Sequence, residues 1–136
     1  MAPYPTKAEI RAMFAPLANA DYKEFFSHVA DNVDWTIMGH HPIAGHYTTR
    51  DAFLHASQRL GAIMQEPMKL VLENIVGGDH EDQAVVELRT VAVCKNGLNF
   101  DHRYAWVLKF NETQKIAQVR AYWDSELVQR AIAENE

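Results

Sequence analysis

A histidine and a tyrosine occupy alternate positions of one strand-like segment, and an arginine lies on the segment before it. Residues 100–110 place His102 and Tyr104 at even positions, so the two side chains share one face of a strand. A histidine exchanges a proton near neutral pH, and a tyrosine donates a hydrogen bond to a developing oxyanion. The guanidinium of Arg89 would donate hydrogen bonds to a carbonyl or carboxylate of the substrate. These residue types predict acid–base catalysis on a small molecule.

The Asn96-Gly97 pair between the two segments predicts the hairpin that would bring these residues together. Asn-Gly favours a two-residue type I′ turn, because that turn needs positive φ at both central residues. A two-residue loop fixes the register and places Arg89 opposite Tyr104 on one face. The predicted wall of the site comprises Glu87, Arg89, Val91, His102, Tyr104 and Trp106.

Each of these candidates also has a structural interpretation. His102 can be a core histidine held by its neighbours, and Arg89 can form an ion pair with Glu87 on the same face. Asp124 can cap a terminal helix instead of taking part in catalysis. Cys94 falls on the face opposite His102, so a Cys-His nucleophilic pair is not expected.

Three further histidines lie in one loop. His40, His41 and His46 fall between glycines and a proline, and they raise the possibility of a metal site. Adjacent histidines in such a loop are more typical of a pocket mouth or of the surface. A lid-side acid or base at His40 or His41 is therefore the more natural expectation, and we predict no bound metal.

Composition limits the classes of function. The 136 residues carry a net charge of −5 with 13 scattered lysines and arginines, which argues against nucleic acid or an anionic membrane as partner. We expect one domain over residues 1–136, without a secretory signal or membrane span. The single cysteine suits a reducing compartment, so we expect a cytoplasmic protein. No phosphate-binding or dinucleotide motif is present, and we predict no cofactor.

Periodicity predicts an α+β domain. A capping box at 6–9 begins a helix, and helices are also expected after Asp21, after Thr48 or Thr49, and after Asp124 or Ser125. The predicted strands are residues 33–38, 69–76, 85–95, 100–110 and 116–123. Helices gathered on one side of a sheet joined by hairpins are typical of this fold class.

Three local phrases resemble the NTF2-like superfamily, and specifically its SnoaL-like, polyketide cyclase-like branch. They are Val33-Asp34-Trp35, Gly45-His46-Tyr47 before a helix with Phe53, and the run from Val119 to Asp124. The resemblance covers roughly residues 6–132. It implies a cone in which a strongly curved antiparallel sheet is closed by N-terminal helices around an apolar pocket. It also implies a homodimer through the outer face of the sheet.

The catalytic residues of the enzyme branches carry over poorly. In the ketosteroid isomerase branch the base and the two oxyanion-hole groups correspond to Ile37, Met13 and Trp106, so all three roles are absent. In the limonene epoxide hydrolase branch the corresponding residues are Val91, Arg89 and Ala121, and only the arginine remains. The polyketide cyclase branch uses an aspartate near a Trp-Asp pair late in the last strand. Asp124 is the nearest match.

The resemblance and the strand alternation together predict the lining of the pocket. The lining residues are Met13, Leu17, Trp35, Ile37, His40, Phe53, Glu87, Val91, Trp106, Val119, Ala121 and Trp123. Bulky aromatic rings among them favour a flat, apolar ligand.

The leading hypothesis is a cofactor-free acid–base enzyme of isomerase, cyclase or dehydratase type, acting on a polyketide- or terpenoid-like molecule. His102, Tyr104 and Arg89 would work in the cavity, with Asp124 as a further candidate. The alternative is a non-catalytic binding protein for an apolar metabolite, which is favoured if no titratable group in the cavity is free of structural partners. A third hypothesis, a protein-interaction module, predicts a solid core without a cavity.

Overall fold

The computed structural model describes residues 4–136, and the first helix begins where the capping box predicts. Helix α1 (Lys7–Phe14) is capped by Thr6, whose hydroxyl accepts from the Glu9 amide at 3.1 Å. The Glu9 carboxylate accepts from the Thr6 amide at 2.9 Å, so both bonds of the capping box are present. The apolar face of this helix, including Ile10 and Phe14, is buried.

The next two helical segments turn the chain back over the sheet. A short 3-10 helix (Ala15–Asn19) ends at Ala20, which adopts a left-handed conformation with φ of 58°. Helix α2 (Tyr22–Phe26) follows at once, and the Asp21 side chain accepts from the Glu24 amide as its cap. Phe25, on the inner side of α2, is fully buried.

Two longer helices begin at the residues that the sequence indicates. Helix α3 (Arg50–Gly61) is capped by Thr49, whose hydroxyl accepts from the Ala52 amide at 3.0 Å. Helix α4 (Ser125–Asn135) is capped by Asp124. None of the helices within residues 4–136 has the length and apolarity that a membrane span needs.

Six strands form one curved, open sheet. They are β1 (Val29–Ile37), β2 (Gly45–Tyr47), β3 (Leu70–Gly77), β4 (Gln83–Val93), β5 (Asn99–Phe110) and β6 (Ile116–Tyr122). The order across the sheet is β2-β1-β6-β5-β4-β3. The predicted α+β fold class is confirmed.

Strands β1 and β2 differ from the sequence prediction in three details. Strand β1 starts at Val29 rather than at residue 33, and β2 lies inside a segment predicted as loop. The sheet is not purely antiparallel, because β1 pairs with β6 in parallel. The parallel pair arises because β1 is separated in sequence from β6 by the whole β2–β5 segment, so no hairpin constrains its direction.

The turn between β4 and β5 is one residue longer than predicted. Cys94 donates its amide to the Leu98 carbonyl at 2.9 Å, and Gly97 donates to the Cys94 carbonyl at 2.9 Å. The loop is therefore residues 95–97. Gly97 has a positive φ of 91°, whereas the φ of Asn96 is not positive. This is a three-residue hairpin with a left-handed glycine at its last position, not a type I′ turn.

The longer loop shifts the β4 register by one residue and exchanges the two faces of that strand. Thr90 lies opposite His102, and Leu88 lies opposite Tyr104. Glu87, Arg89 and Val91 therefore face outward, which corrects their predicted place in the pocket wall. Val91 is 68% exposed.

Candidate functional site

A cavity of about 600 Å³ lies between α2, α3, residues 64–68 and the concave face of the sheet. Most of its wall is apolar. It is lined by Leu17, Tyr22, Phe25, Phe26, Phe53, Leu54, Ser57, Gln58, Leu60, Gly61, Met64, Gln65, Glu66, Pro67, Met68, Leu70, Tyr104, Trp106 and Trp123. A volume of this size is typical of a pocket for a small organic molecule.

The sheet contributes the wall that carries a free polar group. Tyr104 and Trp106 are alternate residues of β5, and Trp123 directly follows β6, so three aromatic side chains share the concave side. Tyr104 is 5% exposed, and its hydroxyl makes no hydrogen bond within residues 4–136. Burial raises the pKa of this hydroxyl, so it stays protonated and is available as a donor.

A second tyrosine, Tyr22, joins two parts of the cavity wall that lie apart in the sequence. The Tyr22 hydroxyl, on α2, donates to the backbone carbonyl of Met68. Burial raises the pKa of Tyr22 as well, which keeps the donor proton in place. This bond joins α2 to the segment that precedes β3, so two separate elements form a continuous wall.

Residues 64–68 form the rim of the cavity and are fixed to the end of β4. Gln65 donates its backbone amide to the Val93 carbonyl at 2.9 Å and its side-chain amide to the Cys94 carbonyl at 3.1 Å. Gln58, Gln65 and Glu66 are exposed there. The Glu66 carboxylate is the one formally charged group on the lining within the described residues.

His102 lies on the predicted face of β5 but behind the cavity wall. It is fully buried, and its Nε2 accepts from the Asp124 backbone amide at 2.9 Å. Its ring centroid is 4.0 Å from that of Tyr104, with the planes at 72°. Nδ1 is buried without a partner among the described residues. Burial lowers the pKa of His102 to about 4, so the imidazole is neutral at pH 7.

The loop histidines lie in different environments. His41 is buried and stacks on Trp123, with centroids 5.3 Å apart and planes at 3°. Burial lowers the pKa of His41. His40 is exposed and does not line the cavity, and His46 bonds to Asp34 at the surface. Residues 4–136 hold no group of three or more potential metal ligands.

The other predicted catalytic residues have structural partners away from the cavity. Asp124 accepts from the Leu127 amide at 3.1 Å, which is the bond of a helix cap. Arg89 makes a two-point contact with Asp101 on the outer face, at 2.9 and 2.8 Å. Glu87 accepts from the Asn74 side chain at 2.8 Å instead of pairing with Arg89. The one-residue shift of β4 explains the positions of Arg89 and Glu87, because it turns the odd-numbered residues of this strand to the outer face.

The predicted lining residues divide between the cavity and the packed core. The structure places Leu17, Phe53, Trp106 and Trp123 on the cavity wall. The remaining inward residues lie in the core without lining the cavity, and they are Met13, Trp35, Ile37, Val119 and Ala121. Trp35 stacks on Phe53 with their ring centroids 3.8 Å apart, and the two rings fill the space between β1 and α3.

Sequence reasoning missed the rim and much of the helical wall. Tyr22 and Phe26 sit on the short helix α2, whose five residues show too few turns for a reliable apolar face. The rim at 64–68 has no periodicity at all. Its signal in the sequence is two methionines around Pro67, which is typical of an irregular apolar surface but does not indicate a pocket.

Two curated proteins are similar in sequence to this chain over most of its length. No family model matches. The dimerizing cyclase phiC of a fungal species is 31% identical over 135 residues, which cover 98% of this chain and 59% of the relative. The dimerizing cyclase tstC of Talaromyces stipitatus is 28% identical over 118 residues, which cover 85% of this chain and 52% of the relative. The chain thus spans between half and two thirds of these relatives.

A solved structure shows the same fold. An NTF2-like protein from Burkholderia thailandensis superposes with a TM-score of 0.76 at 22% identity, covering 97% of this chain and 98% of that chain. The chain therefore has the NTF2-like fold that its sequence predicts, and its sequence is similar to those of the two cyclases over most of its own length.

Proposed function

We propose that this chain is a cofactor-independent cyclase or isomerase that acts on an apolar small molecule bound in the cavity. The observation that carries the proposal is the Tyr104 hydroxyl, a titratable group on the cavity wall with no partner within the described residues. Among the described residues His102 bonds only to a backbone amide, and Arg89 faces outward. The enzyme hypothesis therefore depends on Tyr104, since the other two predicted groups have structural partners.

Tyr104 would act by donating a hydrogen bond to a substrate carbonyl. When a proton leaves the adjacent carbon, negative charge develops on that oxygen, and a fixed donor in an apolar cavity stabilises it more than water would. The raised pKa of Tyr104 matters here, because a group that stays protonated can donate but does not itself become a base. Aldol-type cyclisation and the migration of a double bond next to a carbonyl by proton transfer both pass through such an enolate.

His102 would position Tyr104 without touching the substrate. Its imidazole is held at one end by the Asp124 amide, and its ring meets the tyrosine ring nearly at right angles. A buried, neutral ring in this place restricts the rotamers of Tyr104. The candidate proton acceptor is Glu66 at the rim, because it supplies the carboxylate on the lining.

The curated relatives support the cyclase part of the proposal. Both are dimerizing cyclases, and 98% of this chain aligns with one of them. Because the chain spans only part of each relative, assigning their activity to it is part of what we propose. The non-catalytic alternative has the same cavity but requires no reaction at Tyr104.

We further propose a single domain over residues 1–136 that forms a homodimer through the outer face of the sheet in the cytoplasm. Three valines support this interface, because Val71, Val91 and Val93 are between 38% and 68% exposed on neighbouring strands. The buried free thiol of Cys94 is compatible with a reducing compartment.

Substitution Tyr104→Phe tests the proposed chemistry. With a panel of polyketide-like and terpenoid ketones, we expect kcat to fall about a hundredfold while KM changes little, because one oxyanion donor is lost. Tyr122→Phe, at an exposed tyrosine, is the matched control and should keep full turnover. Unchanged turnover in Tyr104→Phe would exclude the mechanism. Tight binding without turnover in the wild-type protein would favour the binding protein.

A further inference from the structure

The described residues that line the cavity carry no positive charge. Within residues 4–136 its lining contains no lysine and no arginine, and its one charged side chain is the carboxylate of Glu66. A carboxylate or phosphate moved from water into an apolar cavity needs a cation or several hydrogen bonds to offset its lost hydration. The wall supplies no cation for that purpose.

The nearest arginines on α3 are engaged elsewhere. Arg59 follows the lining residue Gln58, but its guanidinium contacts the Glu136 carboxylate at 2.6 and 2.7 Å. Arg50 contacts Asp31 at 2.6 Å at the other end of the helix. Neither arginine lines the cavity. An anionic ligand would have to break one of these pairs to gain a partner.

The end of α3 adds partial negative charge at the same place. Leu60 and Gly61, the last residues of this twelve-residue helix, line the cavity. The carbonyl end of a helix carries the negative pole of its dipole, which disfavours an anion nearby. Glu66 and the helix end therefore act in the same direction.

The polar groups of the wall are instead mostly uncharged. The Tyr104 hydroxyl has no hydrogen-bond partner among the described residues, and Ser57 and Gln58 add a hydroxyl and an amide to the lining. Neutral donors suit a neutral oxygen acceptor such as a ketone or ester carbonyl. We infer that the cavity is selective for uncharged carbonyl compounds and rejects carboxylates of the same shape, an inference that rests on the proposed function of this cavity.

A pair of ligands that differ in charge tests this selectivity by calorimetric titration. Acetylnaphthalene and naphthoate have the same ring system, and we expect the wild-type protein to bind the neutral ketone at least about tenfold more tightly. Naphthoate binding as tightly as the ketone would overturn the inference but leave the cavity as a ligand site. Binding of neither compound would overturn the inference together with the proposed function.

Ser57 provides the variant for the same titration. It is half-buried on the lining, and its hydroxyl donates to the Leu54 carbonyl of its own helix. Ser57→Lys adds a cation to the wall, while Ser57→Met adds similar bulk without charge. We expect naphthoate to bind at least about tenfold more tightly to Ser57→Lys than to Ser57→Met. Equal naphthoate affinity in the two variants would overturn charge as the cause of selectivity.

Discussion

Both faces of the β4–β5 hairpin carry titratable residues with shifted pKa values, but the shifts on the two faces have different causes. On the concave face His102 and Tyr104 are buried, and burial is the main cause of both pKa shifts. On the outer face Asp101 is exposed, and the pKa of its carboxyl is lowered chiefly by its hydrogen bond to Arg89. A shift caused by burial indicates a group shielded from water, whereas one caused by an exposed partner indicates a surface pair.

Substitutions at two neighbouring residues of β4 should give the largest difference in stability between the two faces. Leu88 is 1% exposed on the concave face, so Leu88→Ala should lower the free energy of unfolding by about 3 kcal/mol through lost burial and a new void. Urea denaturation measures the change. Arg89→Ala, one residue away on the outer face, is the matched control and should shift the midpoint far less. A larger loss in Arg89→Ala would contradict the register.

The second prediction concerns stability at acid pH. Burial lowers the pKa of His102 to about 4 from 6.5, so between these values the unfolded chain binds a proton that the folded chain does not. The stabilisation is complete above pH 6.5 and is lost as the pH falls towards 4, by about 3 kcal/mol in total. His41, whose pKa burial also lowers, contributes with the same sign.

Urea unfolding at several pH values measures that loss. His102→Gln should flatten the dependence of the unfolding free energy between pH 6.5 and 4.5, whereas the exposed His55→Gln should leave it steep. An equal slope in wild type and His102→Gln would mean that the imidazole is hydrated in the folded protein.

The smallest effect on the fold is expected at the outer face. Val91→Glu places a charge at the centre of the proposed dimer interface, on a side chain that is 68% exposed in the single chain. Sedimentation should then show a species of half the wild-type mass, while ligand binding in the cavity stays unchanged. A wild-type protein that sediments as a monomer would refute the homodimer.

Local signals predict the elements of this fold well. Thr6, Asp21, Thr49 and Asp124 each cap the helix that follows, because capping depends on a few adjacent residues. The inward face of β5 follows from alternation alone, and Tyr104 is on the cavity wall for that reason.

The face that each β4 residue occupies differs from the prediction, because it depends on the conformation of the turn at Asn96-Gly97. Asn-Gly is compatible with a two-residue turn and with a three-residue turn in which only the glycine has positive φ. The three-residue turn forms here, with Gly97 at φ of 91°. Arg89 thereby moves from the predicted site to the surface.

Local sequence patterns also do not show which inward side chains reach the cavity, and the reason is different. His102 and Tyr104 share a face, but only Tyr104 reaches the cavity. Whether an inward side chain meets a void or another ring depends on where the helices and residues 64–68 settle on the sheet. That placement follows from the sum of many packing contacts, which no single motif encodes.

The attachment of residues 64–68 has a consequence for the way in which a ligand enters. Their backbone is bonded to the end of β4 on one side and to Tyr22 on the other, so any swing of the rim would have to break these hydrogen bonds. The exposed side chains of Gln58 and Glu66 change rotamer within nanoseconds. We therefore expect a ligand to enter past these side chains, with the rim backbone in place.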